Sequence, residues 1–318
     1  MRINLILTVM LDLVITPFLF PAAIVMRLVR RIGVQRLPIC KATLFRVGVF
    51  PIRNHYYEPQ FDFRKIRQRL SKPRRLAGIE WNREEQIALL GQLNYYDELL
   101  ALPTRVVSDI EFRMDNGSFE AGDAEFWYCM IRLKKPRRII EVGSGQSTLV
   151  AVHAIALNTQ EDASYKCIHI CIEPFEAPWL ERVGVQVIRS KVEDLSPELF
   201  LQLEENDILF IDSSHIIRPQ GDVLFEFLEV IPTLRRGVIV HVHDIFSPCD
   251  YTFGVLGEHV FLWNEQYILE AFLTLNSEWR VIAALNLLHH EHPDLLREKC
   301  PHLLPSNEPG SFYIQRRN

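Results

Sequence analysis

The stretch that decides the fold is residues 138–148, RIIEVGSGQST, where a β-branched run meets two glycines. Residues 139–142 are typical of a short buried strand, and the chain then turns at Gly143 and Gly145. The apolar spacing of residues 149–157 is typical of a helix, so the two glycines stand at a strand-to-helix turn. Such a turn lets the backbone approach a ligand closely, and the N–H groups at the helix start are free to bind it.

Acidic residues stand at the ends of the first two predicted strands. Glu141 lies near the end of the first strand, where a carboxylate disfavours a phosphate and favours a cationic or hydroxyl-rich ligand. The second predicted strand, 168–173, ends at Glu173, 28 residues after Gly145. A carboxylate at the end of the second strand is placed to bind ribose hydroxyls. The alternative is an ordinary parallel sheet whose strand ends carry acids by chance.

Charge is distributed unevenly along the 318 residues, although the formal net charge is only −5. Residues 27–75 contain 14 Lys and Arg against two acids, whereas residues 76–318 contain 20 basic and 37 acidic residues. Because the basic segment directly follows an apolar run, it favours an anionic membrane surface over nucleic acid as a partner. The six cysteines are scattered without a C-x-x-C motif, which indicates reduced thiols in a cytosolic compartment rather than a disulfide framework.

Residues 3–26 are almost entirely apolar and long enough to cross a bilayer as a helix. With Asp12 near the middle and prolines at Pro17 and Pro21, the run is equally consistent with a bent or re-entrant anchor and with a straight span. Four arginines follow the run against one before it, which places its C-terminal side in the cytoplasm. A secretory signal would carry most of its charge on the other side, and a buried core helix is the remaining alternative.

Predicted strands alternate with helices along residues 120–318. After the first two, the predicted strands are 185–189, 207–212, 237–242, 279–285 and 311–315. This alternation predicts an α/β fold with a doubly wound, mostly parallel, seven-stranded Rossmann-like sheet. We divide the chain into a hydrophobic membrane anchor or re-entrant helix (1–31), a basic, aromatic-rich linker and helical cap (32–119), and this α/β domain (120–318).

The sequence EVGSG at 141–145 and the acid at Glu173 resemble the first motif and the ribose-binding acid of class I S-adenosylmethionine-dependent methyltransferases. The resemblance covers residues 120–318 and implies that S-adenosylmethionine is the cofactor, with its methionine part at the glycine turn. It places either Glu193 or Asp194 at the adenine. The positions that the resemblance assigns to the cofactor are Glu141, Gly143, Ser144, Gly145, Ser147, Thr148, Glu173, Glu193, Asp194 and Asp212.

A second pattern lies at the ends of the fourth and fifth predicted strands, which meet at one edge of such a sheet. The sequences DSSH at 212–215 and HVHD at 241–244 resemble metal-dependent O-methyltransferases that modify sugars in natural-product pathways. By this resemblance the metal ligands, for Mg²⁺ or Mn²⁺, are Asp212, His243 and Asp244, and the catalytic residues are Asp212 and the general base His215.

His243 is where the chain departs from that pattern, because the family usually carries a second carboxylate at this position. A nitrogen ligand suits Mn²⁺, Fe²⁺ or Zn²⁺ better than Mg²⁺, so both the identity and the use of a metal stay open. The chemistry accounts for the residue types: a sugar hydroxyl is a poor nucleophile, a divalent ion lowers its pKa, and a histidine can take its proton. Base catalysis without a metal and a purely structural role for these residues are the two alternatives.

Two further segments carry residues suited to binding. Residues 261–273 predict an aromatic turn that enters a helix, in the part of the sequence where this fold inserts substrate-contacting structure. Core packing explains their aromatic residues equally well. Residues 289–292, HHEH, have a spacing unlike that of a standard metal site, and they predict a solvated loop.

These patterns together predict a membrane-associated, cytoplasm-facing methyltransferase that acts on a hydroxyl of a sugar or glycolipid-type acceptor. Its expected partners are a small-molecule or lipid-linked glycan and an anionic membrane surface, without nucleic acid, and an oligomer is compatible with the sequence. The alternatives are a metal-free small-molecule or protein N-methyltransferase of the same fold, and a non-catalytic cofactor-binding scaffold at the membrane. A nicotinamide-dependent oxidoreductase is disfavoured by the missing third glycine and by Glu141.

Overall fold

The computed structural model describes residues 5–53, 55–105, 108 and 110–317, so residues 1–4 of the predicted anchor lie outside the described part. The chain forms two compact units, Met1–Arg67 and Gln68–Asn318. Residues 68–119, which the sequence placed in a linker and cap, thus belong to the same unit as the α/β domain. All six cysteines are free thiols.

The first unit is built on one long helix. Helix α1, Leu5–Ile32, continues through Pro17 and Pro21, and helix α2, Pro38–Val47, follows it. The segment Ile6–Ile32 has a mean hydropathy of 2.1 and is long and apolar enough to cross a membrane. Its apolar side chains are exposed along the helix, unlike those of a core helix, which are mostly buried.

The second unit contains a seven-stranded sheet, which confirms the predicted fold class. The strands are β1 Arg138–Val142, β2 Ile168–Ile172, β3 Gln186–Ile188, β4 Ile208–Ile211, β5 Ile239–Val242, β6 Trp279–Ala284 and β7 Phe312–Arg316. Their order is β3-β2-β1-β4-β5-β7-β6, and β7 is antiparallel to both of its neighbours whereas the other pairs are parallel. The order reverses between β1 and β4, which is where open sheets of this kind bind ligands.

Helices cover both faces of this sheet, which explains why its central strands consist mostly of buried apolar residues, with Glu141 in β1 and His241 in β5 as buried polar ones. The described α-helices of the unit are α3 Arg83–Leu90, α4 Tyr96–Leu100, α5 Asp123–Lys134, α6 Gln146–Glu161, α7 Asp222–Phe225, α8 Glu265–Leu273, α9 Leu285–Glu291 and α10 Pro293–Lys299. In β4, Phe210 belongs to a core with Trp127 of α5 and Val150 of α6. Leu209 belongs to a second core with Phe227. Because both faces are packed, the ends of the strands are left to bind a ligand.

The histidine-rich segment 289–292 begins within a helix, so the predicted solvated loop was wrong for its first residues. His289 is buried in the last turn of α9, and Nε2 of His290 lies 3.0 Å from Glu308 Oε2. The prediction failed because α9 starts at the residue after β6, and the apolar residues 285–288 lead the helix directly into the histidines.

Candidate functional site

The site lies at the edge of the sheet where β1, β2, β4 and β5 end. The turn after β1 is bound to β2, because Gly143 N donates a hydrogen bond to Ile172 O at 3.1 Å. Gly143 has a φ of 76°, and a Cβ atom at this residue would lie 1.9 Å from the carbonyl oxygen of Asp212. Glycine is therefore the residue that lets the turn after β1 press against the end of β4.

Glu173 follows β2, and its carboxylate points toward the glycine turn. Its Oε1 accepts hydrogen bonds from Phe175 N and Glu176 N, each at 2.8 Å. Its Oε2 lies 3.4 Å from Ser144 N. One oxygen is thus fixed by the loop that follows the strand, and the other faces the turn with capacity to accept further hydrogen bonds.

A cavity of about 410 Å³ opens between these strand ends. Its lining includes Gly143, Glu173, Phe175, Glu193, Asp212 and Asp222. Of the two acids that the sequence offered for the adenine, Glu193 borders this cavity, whereas Asp194 is exposed and lies outside its lining. Phe175 is 79% exposed and was not identified from the sequence, although its place two residues after Glu173 was an available signal.

Glu141 is fully buried and bonds to the helix that follows its own turn. Its carboxylate accepts hydrogen bonds from Ser147 Oγ and Thr148 Oγ1 at 2.5 and 2.8 Å, and it lies 2.8 Å from His169 Nε2. Cys171 Sγ is 3.5 Å away, and we call these five residues the inner cluster. The sequence predicted that Glu141, Ser147 and Thr148 contact the cofactor. The structure instead directs the three side chains at one another, outside the lining of the cavity, which favours a role in holding the turn.

The inner cluster contains three potential metal donors, Glu141, His169 and Cys171, whose ligand atoms are close enough to share an ion. Burial and the nearby Glu141 carboxylate raise the pKa of the Cys171 thiol, so the thiol keeps its proton and is a poor ligand. Both carboxylate oxygens of Glu141 already have hydrogen-bond partners. These contacts account for the inner cluster without an ion.

A second cluster lies at the ends of β4 and β5, where Asp212, His215 and Asp244 bring their ligand atoms within 4.8 Å of one another. We call these three residues the rim cluster. His215 Nε2 is 3.2 Å from Asp212 Oδ1 and 3.6 Å from Asp244 Oδ2, and the two aspartate side chains are 32% and 26% exposed. His215 and Asp244 have φ values of 58° and 57°, a conformation that is uncommon outside glycine and concentrates at functional sites.

Glu265 supports the rim cluster from a third element, and the sequence did not identify it. It is the first residue of α8 and is fully buried, and its Oε2 lies 2.7 Å from His215 Nδ1. Trp263 packs on the same imidazole, with the ring centroids 4.3 Å apart. Asn264 N donates a hydrogen bond to His215 O at 3.0 Å. The aromatic turn noted in the sequence is therefore bound to the rim cluster.

Burial and neighbouring charges shift the pKa values of the rim cluster in opposite directions. Burial alone would lower the pKa of His215, but its hydrogen bonds with Asp212 and Glu265 raise that pKa well above its ordinary value. Burial alone would raise the pKa of Asp212, but the charges of His243 and His215 hold that pKa below its ordinary value. In the absence of another cation, the positive charge of the His215 imidazolium balances the negative charge of the carboxylates around it.

His243, the predicted third metal ligand, lies beside the rim cluster but outside the group of donors that are close enough to share an ion. Among the described residues, the donors that could share an ion at this edge are those of Asp212, His215 and Asp244. His243 is buried beside them, with its Nε2 3.8 Å from Asp244 Oδ1. Because Nδ1 of His215 is engaged by Glu265, its Nε2 is the one ring nitrogen left to bind either a metal or a proton.

Residues 140–245, which run from β1 to just beyond β5, match a family model described as a methyltransferase domain. An uncharacterized protein from Archaeoglobus fulgidus is 30% identical over 173 residues, which cover 50% of this chain and 76% of that protein.

Two solved structures are also similar in outline. One is an O-methyltransferase from Bacillus cereus in complex with SAH, with 13% identity and a TM-score of 0.37, covering 75% of this chain and 98% of that one. The other is a candidate methyltransferase from Thermobifida fusca, with 13% identity and a TM-score of 0.36, covering 78% of this chain and 96% of that one.

The family assignment rests on the domain match and on the archaeal relative. The matched residues contain the glycine turn, the Glu173 carboxylate and the cavity between them, which are the parts that a nucleoside-bearing cofactor needs. The relative is matched over three quarters of its own length, so the likeness is not confined to a short motif. The chain belongs to the same family as this archaeal protein and is a class I S-adenosylmethionine-dependent methyltransferase.

Proposed function

We propose that this enzyme transfers the methyl group to an oxygen atom, and that the oxygen belongs to a sugar or glycolipid-type acceptor at the cytoplasmic face of a membrane. The observation that carries the oxygen acceptor is the rim cluster, an imidazole held by Glu265 beside two partly exposed carboxylates. A hydroxyl must lose its proton as it attacks, so it needs a base, whereas a neutral amine attacks through a lone pair that is already free.

The cavity between Gly143 and Glu173 fits S-adenosylmethionine in size and in chemistry. Its volume of about 410 Å³ lies within the usual range of small-molecule sites. The Glu173 oxygen that faces the turn can accept a hydrogen bond from a ribose hydroxyl, and Glu193, which borders the same cavity, would contact the adenine. Apart from Gly145 and its two chain neighbours, no heavy atom of the described residues lies within 4 Å of the place where a Cβ of Gly145 would be, so the turn leaves room for the methionine part. When bound, the cofactor supplies an electrophilic methyl group on a sulfonium.

His215 handles the proton in this proposal. With a cation on Asp212 and Asp244 to supply the positive charge there, His215 would be free to lose its Nε2 proton. Glu265 would then accept the hydrogen bond from Nδ1–H of the neutral ring, which fixes the tautomer and leaves the Nε2 lone pair for the acceptor hydroxyl. The acceptor hydroxyl gives its proton to Nε2 as its oxygen bonds to the methyl carbon, the bond from that carbon to the sulfonium sulfur breaks with its electron pair going to sulfur, and the leaving group is the neutral thioether. Glu265 stabilises the imidazolium that forms. Alignment of the hydroxyl with the methyl group supplies a further part of the rate.

Asp212 and Asp244 are the residues that would hold a divalent cation. Two carboxylates in one cluster repel each other unless positive charge lies between them, and carboxylate oxygens are the ligands that hard divalent ions prefer. A cation there would lower the pKa of the acceptor hydroxyl. Because Nε2 of His215 cannot bind the ion and accept the proton together, the two carboxylates hold the ion in this scheme, and His243 stays outside it.

Exposed aromatic rings beside the rim cluster support a sugar acceptor. Phe261 stacks on Trp263 with a centroid distance of 4.9 Å, and His259 stacks on Phe261 at 5.2 Å. Phe261 is 43% exposed, so this row of rings is open to a ligand. The apolar C–H face of a sugar ring packs well on such a surface while its hydroxyls stay available to the rim cluster.

The membrane part of the proposal rests on the first unit. Helix α1 is long and apolar enough to cross a bilayer, and most of the chain's excess basic residues follow directly after it. Basic residues next to a membrane segment mark its cytoplasmic side and are attracted to anionic lipids. An enzyme anchored in this way meets lipid-linked acceptors in the plane of the membrane.

The test is transfer of radiolabel from S-adenosylmethionine by the purified full chain to a total membrane lipid extract, with and without EDTA. We expect labelled lipid whose acid hydrolysis releases an O-methylated sugar, and we expect EDTA to suppress the label until Mn²⁺ or Mg²⁺ is restored. Label that is recovered as an N-methyl group, or that the His215→Ala variant forms at the normal rate, would rule out the proposed role of the rim cluster.

A second candidate, transfer without a metal, is favoured by one observation. His215 alone can place positive charge next to both Asp212 and Asp244, so the cluster is electrically satisfied without an added ion. Full activity in EDTA together with loss of activity in His215→Ala would select this candidate.

A further inference from the structure

A second cavity of about 600 Å³ lies within the Met1–Arg67 unit, at the C-terminal end of α1. We call it the basic cavity. Its polar lining consists of Arg27, Arg31, Arg53, His55 and Gln60. Its remaining lining is apolar and includes Ala23, one helical turn before Arg27, and Met26, which directly precedes Arg27. The cavity thus has a cationic part and an apolar part that adjoin each other along α1.

Two of the three arginines of the basic cavity lack an acidic partner among the described residues, and the third, Arg53, shares Glu58 with Arg30. No acidic residue is found among its described lining residues. The nearest acid in the sequence, Glu58, is bound by Arg30 through two hydrogen bonds of 2.8 and 2.6 Å, and it is 3.6 Å from Arg53 Nε. Within the described part of the chain, Arg27 and Arg31 form no ion pair.

The two arginines of α1 are arranged to act together. Arg27 and Arg31 are four residues apart, so they lie on the same face of the helix. Arg53 enters the same cavity from the segment after α2, which makes the site an enclosure rather than a helix face. Guanidinium groups bind phosphate oxygens in a bidentate way, and three of them around one cavity suit a group that carries at least one negative charge.

The position along α1 indicates the rest of the ligand. The apolar span Ile6–Ile32 overlaps the cavity, whose apolar lining at Ala23 and Met26 continues into the hydrophobic part of the helix. Arginines at this end of an apolar helix lie at the depth where lipid phosphates are found. A phosphate attached to a hydrocarbon chain therefore matches both halves of the cavity.

We propose that the basic cavity binds the phosphate group of an anionic membrane lipid, with Arg27, Arg31 and Arg53 around the phosphate and Ala23 and Met26 facing the hydrocarbon. The site holds one lipid headgroup at the base of the anchor. The inference concerns the first unit alone and does not depend on the acceptor or on the metal of the methyl-transfer site.

The test uses the full chain in dodecyl maltoside micelles, titrated with dioctanoyl phosphatidylglycerol, dioctanoyl phosphatidylcholine and inorganic phosphate, and followed by microscale thermophoresis. We expect saturable binding of the phosphatidylglycerol, at least tenfold weaker binding of the phosphatidylcholine, and at least tenfold weaker binding of inorganic phosphate. Equal binding of the two lipids would show a merely apolar groove, and equal binding of inorganic phosphate would show a site for free phosphate, so either result would overturn the proposal.

Variants locate the binding. Arg31→Gln and Arg53→Gln should each weaken phosphatidylglycerol binding by about tenfold, because each removes one charged contact to phosphate. Arg36→Gln is the matched control, since Arg36 is exposed in the same basic segment and lies outside the cavity lining. An equal loss of phosphatidylglycerol binding in Arg36→Gln would mean that the lipid is held by general electrostatic attraction, and it would overturn the proposed site. Circular dichroism of all three variants checks that α1 is intact.

Discussion

The inner cluster and the rim cluster contain the same kinds of side chains and lie on one sheet. They differ in solvent exposure and in how many of their carboxylate oxygens are hydrogen-bonded within the protein. Glu141 and His169 of the inner cluster are buried, and both oxygens of Glu141 are hydrogen-bonded within the protein. Asp212 and Asp244 of the rim cluster are partly exposed, and His215 is held in a left-handed backbone conformation between them. The inner arrangement is stable in itself, whereas the rim arrangement leaves lone pairs available to a ligand.

This difference shows that residue types and proximity do not by themselves mark a reactive site. Both clusters satisfy the distance requirement for a shared metal ion. The two clusters differ in where their carboxylate oxygens can form hydrogen bonds. Those of the inner cluster are bonded to the turn beside them, whereas those of the rim cluster face an open edge of the sheet. Substitutions in and around the two clusters test this difference, and their expected effects decrease from one to the next, apart from the matched control His169→Ala.

Replacing the rim imidazole should have the largest effect. In His215→Ala the acceptor hydroxyl loses its base, so we expect kcat to fall by about 10²–10⁴, the usual contribution of general base catalysis. The KM for S-adenosylmethionine should stay within twofold, because His215 lies outside the lining of the cofactor cavity. Steady-state assays with radiolabelled cofactor measure both constants.

The matched change in the inner cluster is His169→Ala. This variant loses a contact to Glu141 at 2.8 Å and should be less stable to heat, but its kcat at a permissive temperature should be near that of the parent enzyme. If the two histidine variants lose kcat equally while both remain folded, the proposed difference between the clusters is wrong.

Glu265→Gln should have a smaller effect on the same step. Glu265 positions His215 through Nδ1 and does not itself meet the acceptor, so we expect kcat to fall by about 10–100-fold, as is usual for the partner of a functional histidine. An amide can still accept or donate one hydrogen bond, but it cannot stabilise an imidazolium by charge. The check is a comparison of kcat and KM, in which a positioning role lowers kcat and leaves the KM for the cofactor unchanged. A rise in that KM with normal kcat would instead place Glu265 at the cofactor.

The parts of this site that could be predicted from sequence are those that depend on residues close together in the sequence. β-Branched runs bounded by glycine or acidic residues gave the parallel strands, and an acid at a strand end has a fixed place at the edge of the sheet. Asp212, His215 and Asp244 could be assigned to one crevice on this basis, and the structure brings them together. Local pattern and global fold agree here, which is typical of natural sequences.

The parts that could not be predicted depend on side-chain direction and on distant residues. Glu141 occupies a motif position, but its carboxylate is turned inward because Ser147 and Thr148, in the first turn of α6, offer two hydroxyl donors. Glu265 pairs with a histidine 50 residues away, and spacing in the sequence contains no information on such a contact. The presence of His215 rather than His243 in the group of close donors also depends on side-chain direction, which the spacing of the two histidines does not give.

Gly143 lies between the two clusters, and replacing it should cost stability rather than rate. In Gly143→Ala the left-handed backbone alone costs roughly 1–3 kcal/mol, and the new Cβ must also displace the Asp212 carbonyl from a contact of 1.9 Å. Thermal unfolding should therefore begin at a lower temperature. Gly145→Ala is the control, because Gly145 has an extended φ of −176° and open space around the added methyl group. That variant should unfold normally but bind S-adenosylmethionine more weakly, and equal unfolding temperatures for the two variants would contradict the assignment.

Glu141→Gln should have the smallest effect, because an isosteric amide keeps part of the inner hydrogen-bond network. We expect a loss of about 1 kcal/mol in the free energy of unfolding, since one of the buried hydroxyl donors must turn toward a different acceptor. Urea titration measures this loss, and cofactor titration should give an unchanged dissociation constant because the side chain lies outside the cavity lining. A Glu141→Gln enzyme of normal stability with a tenfold weaker affinity for S-adenosylmethionine would place this carboxylate in contact with the cofactor. The inner cluster would then be a binding site like the rim cluster, and burial would no longer separate the two.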